Sequence, residues 1–509
     1  MKTTLAFGWR DTEYKYSSGL DFLDLSMPID RILDAWTPGI TNATERARYY
    51  TIVPWIFYRY AKLGGEGSVS DQRRFVRALE SFFAYANVAH SRESGKRITG
   101  IIRRLFAAPR WRQGLAELPL RGTTVPSTPS ALDPALYGPS FSRLELVGTA
   151  ATEGFVACYP SGQTLALAFD QVTLGLPGRR KLLCDAAVPR DVIAAWANVA
   201  NLNAISSDER KLLRALFFAY EPFASSDTLN RVRSLLLLLW LGTSAENEFS
   251  VWDLELSLAA GRDLSGSTLE VPESLQKCAS RWRVICLLKL LRHAAESAFK
   301  GLHEFVRMSN VLYPRVVSAA RSLVSSYFES NEDASFARLV NQHRRTRTMP
   351  EWAPEAETAI ARLRIALQLI AWCYAQMTSD EGQALLQDRV ASWGSGSGAS
   401  LTSYFDELKR LEKRPLREVA QWLLIDRGIA RHNRVAAGKL WQHDTYRLVD
   451  DERGARAIGD CPLPAIQIRI AAMLSLLADL GLLERHDRKY TSGPQTASFV
   501  KRQLGRTWE

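Results

Sequence analysis

Cysteine is scarce in these 509 residues: there are six, and no two fall within four positions of each other. This spacing excludes a disulfide-built scaffold and the closely paired ligands that announce a structural zinc site. Long apolar runs are missing too. The longest purely aliphatic and aromatic run, Leu235 to Leu241, is far shorter than the roughly 20 residues that cross a bilayer, and reads as a buried helix. The opening MKTTLAFGWRDTEYKYSSG meets charged residues before any apolar stretch of signal-peptide length. A cytoplasmic chain with no membrane partner is expected, with reduced thiols and no glycosylation context for Asn42-Ala43-Thr44.

Reaction motifs are equally thin. Gly261 to Thr268 carries two glycines and a Ser-Thr pair but no lysine to reach a terminal phosphate, so it reads as a loop and not as an NTPase site. His303-Glu304 begins like a metalloprotease helix, yet position 307 is Arg and the second imidazole is absent. No Gly-x-Ser-x-Gly elbow occurs. Cys286 and Cys373 sit in apolar helical surroundings that suit inert core thiols. Asp406-Glu407-Leu408-Lys409 and Arg431-His432-Asn433-Arg434 are faintly nuclease-like, but the first lies on a helical pattern that points Glu407 and Lys409 to different sides. No catalytic residue, metal or cofactor is expected.

What the chain does have is a core and a localised charge. With 46% apolar and 23% charged residues, it is globular and long enough for two to four domains. Its net charge is +11, and from Glu45 to Arg121 fifteen basic residues face six acidic ones, so nine of those charges lie there. Within that stretch Arg92, Lys96, Arg97, Arg103, Arg104, Arg110 and Arg112 surround the single acid Glu93 and the indole of Trp111. Such residues suit a phosphate backbone, because each cation that neutralises a phosphate releases condensed counterions. The alternative is a solvated helix face or an acidic protein partner. A second candidate is Arg344, Arg345 and Arg347, and a third is the tail from Lys501-Arg502 to Arg506.

Periodicity predicts a mainly α, multi-domain protein. A Pro38-Gly39 turn and an Asn42 cap with Glu45 three residues on predict a helix starting near residue 42, carrying Tyr49, Ile52, Val53, Ile56, Tyr60 and Leu63 on one face, kinked at Pro54 and ended by Gly64-Gly65. Helices are also expected over 71–89 and 96–107. Five prolines between Leu118 and Pro139 break the pattern, and 141–173 reads as a small β element. The expected blocks are 1–118, a basic helical domain; 119–188, a Pro-rich connection with the mixed element; 189–392, a central helical domain; and 400–509, a C-terminal domain after the Gly/Ser stretch 393–400.

Near the end an apolar helix from about Pro464 to Leu480 is followed by Gly481, Leu482 to Arg485, a charged tip and Lys489-Tyr490-Thr491. This order resembles the closing part of a winged helix. Arg485, Arg488 and Lys489 at the wing could touch phosphates, whereas the helix itself is too apolar for base readout and suits packing or protein contact.

Gly19-Leu20-Asp21 followed by Pro38-Gly39-Ile40-Thr41-Asn42-x-Thr44-x-Arg46-x-Arg48-Tyr49-Tyr50 resembles the start of bacterial proteins from multi-gene defence loci. The resemblance implies an accessory or scaffolding subunit of an anti-phage complex, working with an SMC-like or other ATPase and a nuclease; together with the basic stretches and the missing NTPase site, a non-enzymatic subunit associated with double-stranded DNA through backbone contacts is expected. A metal-dependent nuclease with a degenerate site drawn from Asp406, Glu407, Lys409 or His432, and a pure protein-interaction adaptor, are the rival readings. Folding alone accounts for the turn, cap and apolar face of this opening motif, but not for Arg46 and Arg48.

Overall fold

The computed structural model describes residues 21, 23–63, 68–95, 97–121, 137–149, 156–179, 186–218, 226–346, 358–439, 446–463 and 467–505. Lys96, Arg347, Arg506 and the helix end expected at Gly64-Gly65 lie outside them. The chain is mainly helical, with a few strands of two to four residues. No helix among the described residues is long and apolar enough to cross a membrane.

Two compact units are each assembled from three separated segments. One comprises 1–34, 255–262 and 279–468; the other comprises 35–254, 263–278 and 469–509. The Gly/Ser stretch 393–400 falls inside the first of these, where Gly394 and Gly398 adopt left-handed φ of 88° and 70° around a tight 3₁₀ turn, Ser395–Ser397. A Cβ at Gly394 would stand 2.6 Å from Pro28 Cγ, so this turn is packed against the unit rather than spanning a gap.

The first unit is built on the long helix Glu273–Met308, whose residues from 279 on belong to it, with Val316–Glu329, Ala359–Met377 and Leu401–Leu411. The helix Leu416–Trp422 runs on through a stretch of wider π-type winding, Leu423–Ala430, into Arg431–Lys439. Its small sheet pairs Leu448–Asp451 with Gly454–Ala457. At its amino end the carboxylate of Asp21 accepts hydrogen bonds from the backbone N–H groups of Leu25 (2.9 Å) and Ser26 (2.8 Å), satisfying donors that the helix Ser26–Trp36 leaves open at its start.

The second unit is held by aromatic packing. Helix Tyr49–Lys62 lies on Pro160–Val172, and Val69–Glu93 lies on Arg190–Ala200 and Arg104–Arg112. Between them Trp55 meets Phe83 and Phe169 edge-on, and Phe82 meets Trp196 at 5.1 Å. The first helix starts at Tyr49, later than the cap reading predicts. Residues 41–48 turn instead, because Asn42 Oδ1 accepts the backbone N–H of Arg469 and Thr44 Oγ1 accepts that of Thr41. Pro54 lies inside this helix, which continues through it.

The helix expected over 96–107 is Arg104–Arg112, set back by left-handed φ at Gly95, Gly100 and Arg103. The β element near 141–173 is a pair of three-residue strands, Val147–Thr149 and Val156–Cys158. The stretch Thr164 to Phe169, expected to be extended, is helical: Pro160 at the first position and the burial of Leu165, Ala166 and Phe169 outweigh its strand-like composition. The apolar C-terminal helix is Ile470–Asp479, and Gly481 with φ 69° turns the chain into strand Leu483–His486, which pairs with Lys489–Ser492. Strand Phe249–Ser250 joins the latter as a third member.

Candidate nucleic-acid interface

The N-terminal cationic stretch divides into buried and exposed members. Arg46, 2% exposed, donates through Nε to Asp479 at 3.0 Å, through Nη1 to the carbonyl of Thr99 at 2.9 Å and through Nη2 to that of Leu202 at 3.0 Å. Asp479 also accepts the backbone N–H of Ala47 at 2.8 Å. Arg48 and Glu209 are both fully buried and form a bidentate pair, with Nε at 3.3 Å and Nη2 at 3.1 Å, while Thr51 Oγ1 donates to the same carboxylate at 2.9 Å. The two arginines that helix capping leaves unexplained are thus internal anchors, each using the planar fork that a lysine lacks.

Arg103 is not at the surface either. It sits in left-handed backbone and its Nε donates to buried Glu80 at 3.1 Å. Arg59 lies 3.8 Å from Asp170, and Arg74 is paired with Asp71. Arg110 is half-buried, with its guanidinium 4.1 Å from the centre of the Phe106 ring. Arg92, Arg97, Arg104 and Arg112 are exposed and none pairs with a carboxylate among the described residues. Arg73, which the sequence presents only as part of the bulk charge of the stretch, shares that condition on helix Val69–Glu93. Its signal was an exposed register opposite Phe75, Leu79 and Phe82. Leu105, 92% exposed, stands beside Arg104.

The other candidates differ in how occupied they are. Arg344 donates to Asn341 at 2.9 Å and Thr378 at 2.7 Å and lies 3.9 Å from Glu412, whereas Arg345 is exposed. Arg485 donates to Thr99 at 3.0 Å and to the carbonyl of Asp487 at 3.2 Å, holding the hairpin tip in place. Lys489 lies 3.7 Å from Glu248, and Arg488 is exposed.

The residues considered for nuclease chemistry have structural partners. Glu407 accepts from Trp422 Nε1 at 2.8 Å and from Arg427 Nε at 2.9 Å. His432 accepts the backbone N–H of Arg447 at 3.0 Å and packs on Phe299. Asp406 and Lys409 are exposed. Among the described residues, no three of the His, Cys, Asp and Glu side chains are placed to share a metal ion. Burial pushes the Cys286 and Cys373 thiols up, and those of Cys158 and Cys461 up to about 12, so thiolates are disfavoured.

The class defined by this architecture is a mainly helical protein whose chain forms two units, each from three separate segments. No protein-family model, curated protein or solved structure matches the chain.

Proposed function

We propose that this chain is a non-enzymatic, DNA-associated accessory or scaffolding subunit of a bacterial anti-phage defence complex, bridging an SMC-like or other ATPase and a nuclease effector in the cytoplasm. The observation that carries the DNA half is the set Arg92, Arg97, Arg104 and Arg112, four exposed guanidiniums on successive elements of one unit without a carboxylate partner among the described residues. Such groups retain their full charge for phosphates, which give sequence-independent and salt-sensitive affinity. The defence setting rests on the opening motif, whose Arg46 and Arg48 serve the interior; the motif therefore argues for a shared fold with those proteins, not for a shared reaction. Helix Ile470–Asp479 and its hairpin suit a winged-helix-like module whose helix packs inward, leaving Arg488 and Lys489 toward solvent.

A pure protein-interaction adaptor is the second reading, favoured by Leu105 beside Arg104 and by Met308, Val311 and Leu312, exposed apolar residues that follow one another at the end of the long helix.

Titration of the full chain onto closed circular duplex DNA at increasing salt separates the two. DNA association predicts affinity that falls linearly on logarithmic axes, and R104E with R112E lowering the slope by about 2. Weak binding with no salt slope removes the DNA half. Loss of a co-purifying protein in the same variant, with DNA affinity unchanged, selects the adaptor.

A further inference from the structure

Within the second unit, a cleft of about 780 Å³ opens beside the turn at Gly481. One wall is helix Ser207–Phe218, which presents Ser207, Arg210, Lys211, Arg214, Ala215 and Phe218 to it. Their three- and four-residue spacing marks a single helix face, the kind of stripe that normally meets a core through apolar side chains. Here its middle is three cations. The facing wall is helix Thr496–Leu504, which contributes Phe499, Arg502 and Gln503 at the same spacing. Phe218 and Phe499 meet edge-on at 5.0 Å and join the walls at their base.

Four positive side chains thus line one concavity, and no carboxylate lines it among the described residues. Arg214 is fixed by donating to the carbonyls of Leu480 at 2.9 Å and Gly481 at 3.3 Å, and Arg214 and Arg502 both lie within 6.0 Å of the Phe499 ring. Burial, then the neighbouring Arg210 and Arg502, hold the Arg214 guanidinium below its usual range, a sign that like charges crowd there.

Among the described residues, two polar atoms of this lining go unmatched. Arg210 Nε is shielded from solvent without an acceptor. Gln503 is 5% exposed, and its Oε1 is buried without a donor. A buried amide left unpaired carries a desolvation cost that a ligand would remove.

We infer that this cleft binds a phosphorylated nucleotide, with Arg210, Lys211, Arg214 and Arg502 on the phosphate and Gln503 on a hydroxyl or amino group of the sugar or base. A simple anion satisfies the cations but offers Gln503 no donor; a nucleotide supplies both. The volume lies in the range of small-molecule sites and exceeds what inorganic phosphate fills. The nucleotide is either free or the phosphorylated end of a strand. This site is independent of the DNA reading above, whose circular probe has no strand end, so the two fail separately.

Isothermal titration of the full chain with AMP, adenosine, inorganic phosphate and a 5′-phosphorylated or 5′-hydroxyl dinucleotide tests it. AMP is expected to bind at one site, with adenosine and phosphate each at least about tenfold weaker, since charge-assisted contacts and the amide contact are each removed in turn. K211A and R502A, at exposed positions, weaken AMP by about tenfold each while thermal melting stays unchanged. Q503L weakens AMP and leaves phosphate binding as it was. Tight binding of the 5′-phosphorylated dinucleotide, but not the 5′-hydroxyl form, assigns the ligand to a strand end; binding of AMP alone assigns it to the free nucleotide pool. AMP bound no more tightly than adenosine, or equally by R502A and K211A, overturns the assignment.

Discussion

Arg48 and Glu209 are buried without exposed surface on either side chain, so the pair is judged by what happens when one partner goes. R48A leaves a carboxylate in the interior with, among the described residues, only Thr51 and the backbone N–H of Ser206 to satisfy it, and removing one partner of a buried pair costs about 3–5 kcal/mol. Urea unfolding of R48A is expected to lose stability in that range, and the double variant R48M/E209L to recover most of it, because no unpaired charge remains.

The same scale carries a pH effect in the other unit. Burial pushes Glu296 up to about 8 against the pull of Arg292, which lies 2.9 Å away but also 3.7 Å from Asp21. Its protonated form is favoured in the folded state, so its contribution is complete below the unfolded value of 4.5 and is lost as pH rises through 8. Buried His293, lowered to about 3, works in the opposite direction up to its unfolded value of 6.5. The Glu296 loss therefore emerges between pH 6.5 and 8, with a slope of up to about 1.4 kcal/mol per pH unit. Denaturant titrations in that window are expected to show the decline in the wild type and its absence in E296Q.

At the scale of elements, the junction between the small hairpin and helix Pro160–Val172 depends on one missing side chain. A Cβ on Gly162 would stand 2.0 Å from the carbonyl oxygen of Leu146, which also accepts the backbone N–H of Tyr159 at 3.0 Å. G162A must push the helix off this strand, and is expected to cost about 1–3 kcal/mol in a thermal melt, the usual range for overpacking. Helical propensity alone predicts a gain from the same change, so the sign of the result decides whether packing or propensity rules the site.

At the scale of the whole molecule, the sequence made the helical character legible because three- and four-residue apolar spacing is local. The helix Val69–Glu93 and the terminal helix–turn–hairpin order were readable for that reason. The 160–172 helix was not, since an alternating Leu-Ala pattern fits either period until its neighbours choose. Charge was the least legible feature. Counting cations along the chain locates them but not their acids: the partner of Arg46 is Asp479 and that of Arg48 is Glu209, both far away in sequence. Of the stretch that holds most of the net charge, Arg46, Arg48 and Arg103 serve the interior, so the DNA salt slope should reflect the exposed members alone. The Arg210, Lys211 and Arg214 face is not legible in the sequence because Arg502, which completes it, lies nearly three hundred positions later.

The bond from Arg46 to Asp479 spans 433 positions. At a synthesis rate of about 5–20 residues per second, its acceptor leaves the ribosome roughly 20–90 seconds after the donor. Throughout that interval the nascent amino-terminal part holds a guanidinium that will end up dry but has no counterion yet. The aromatic packing of the second unit can gather early, yet its final locking waits for the carboxyl end. A chaperone that shelters half-made chains has most to offer this protein in that gap.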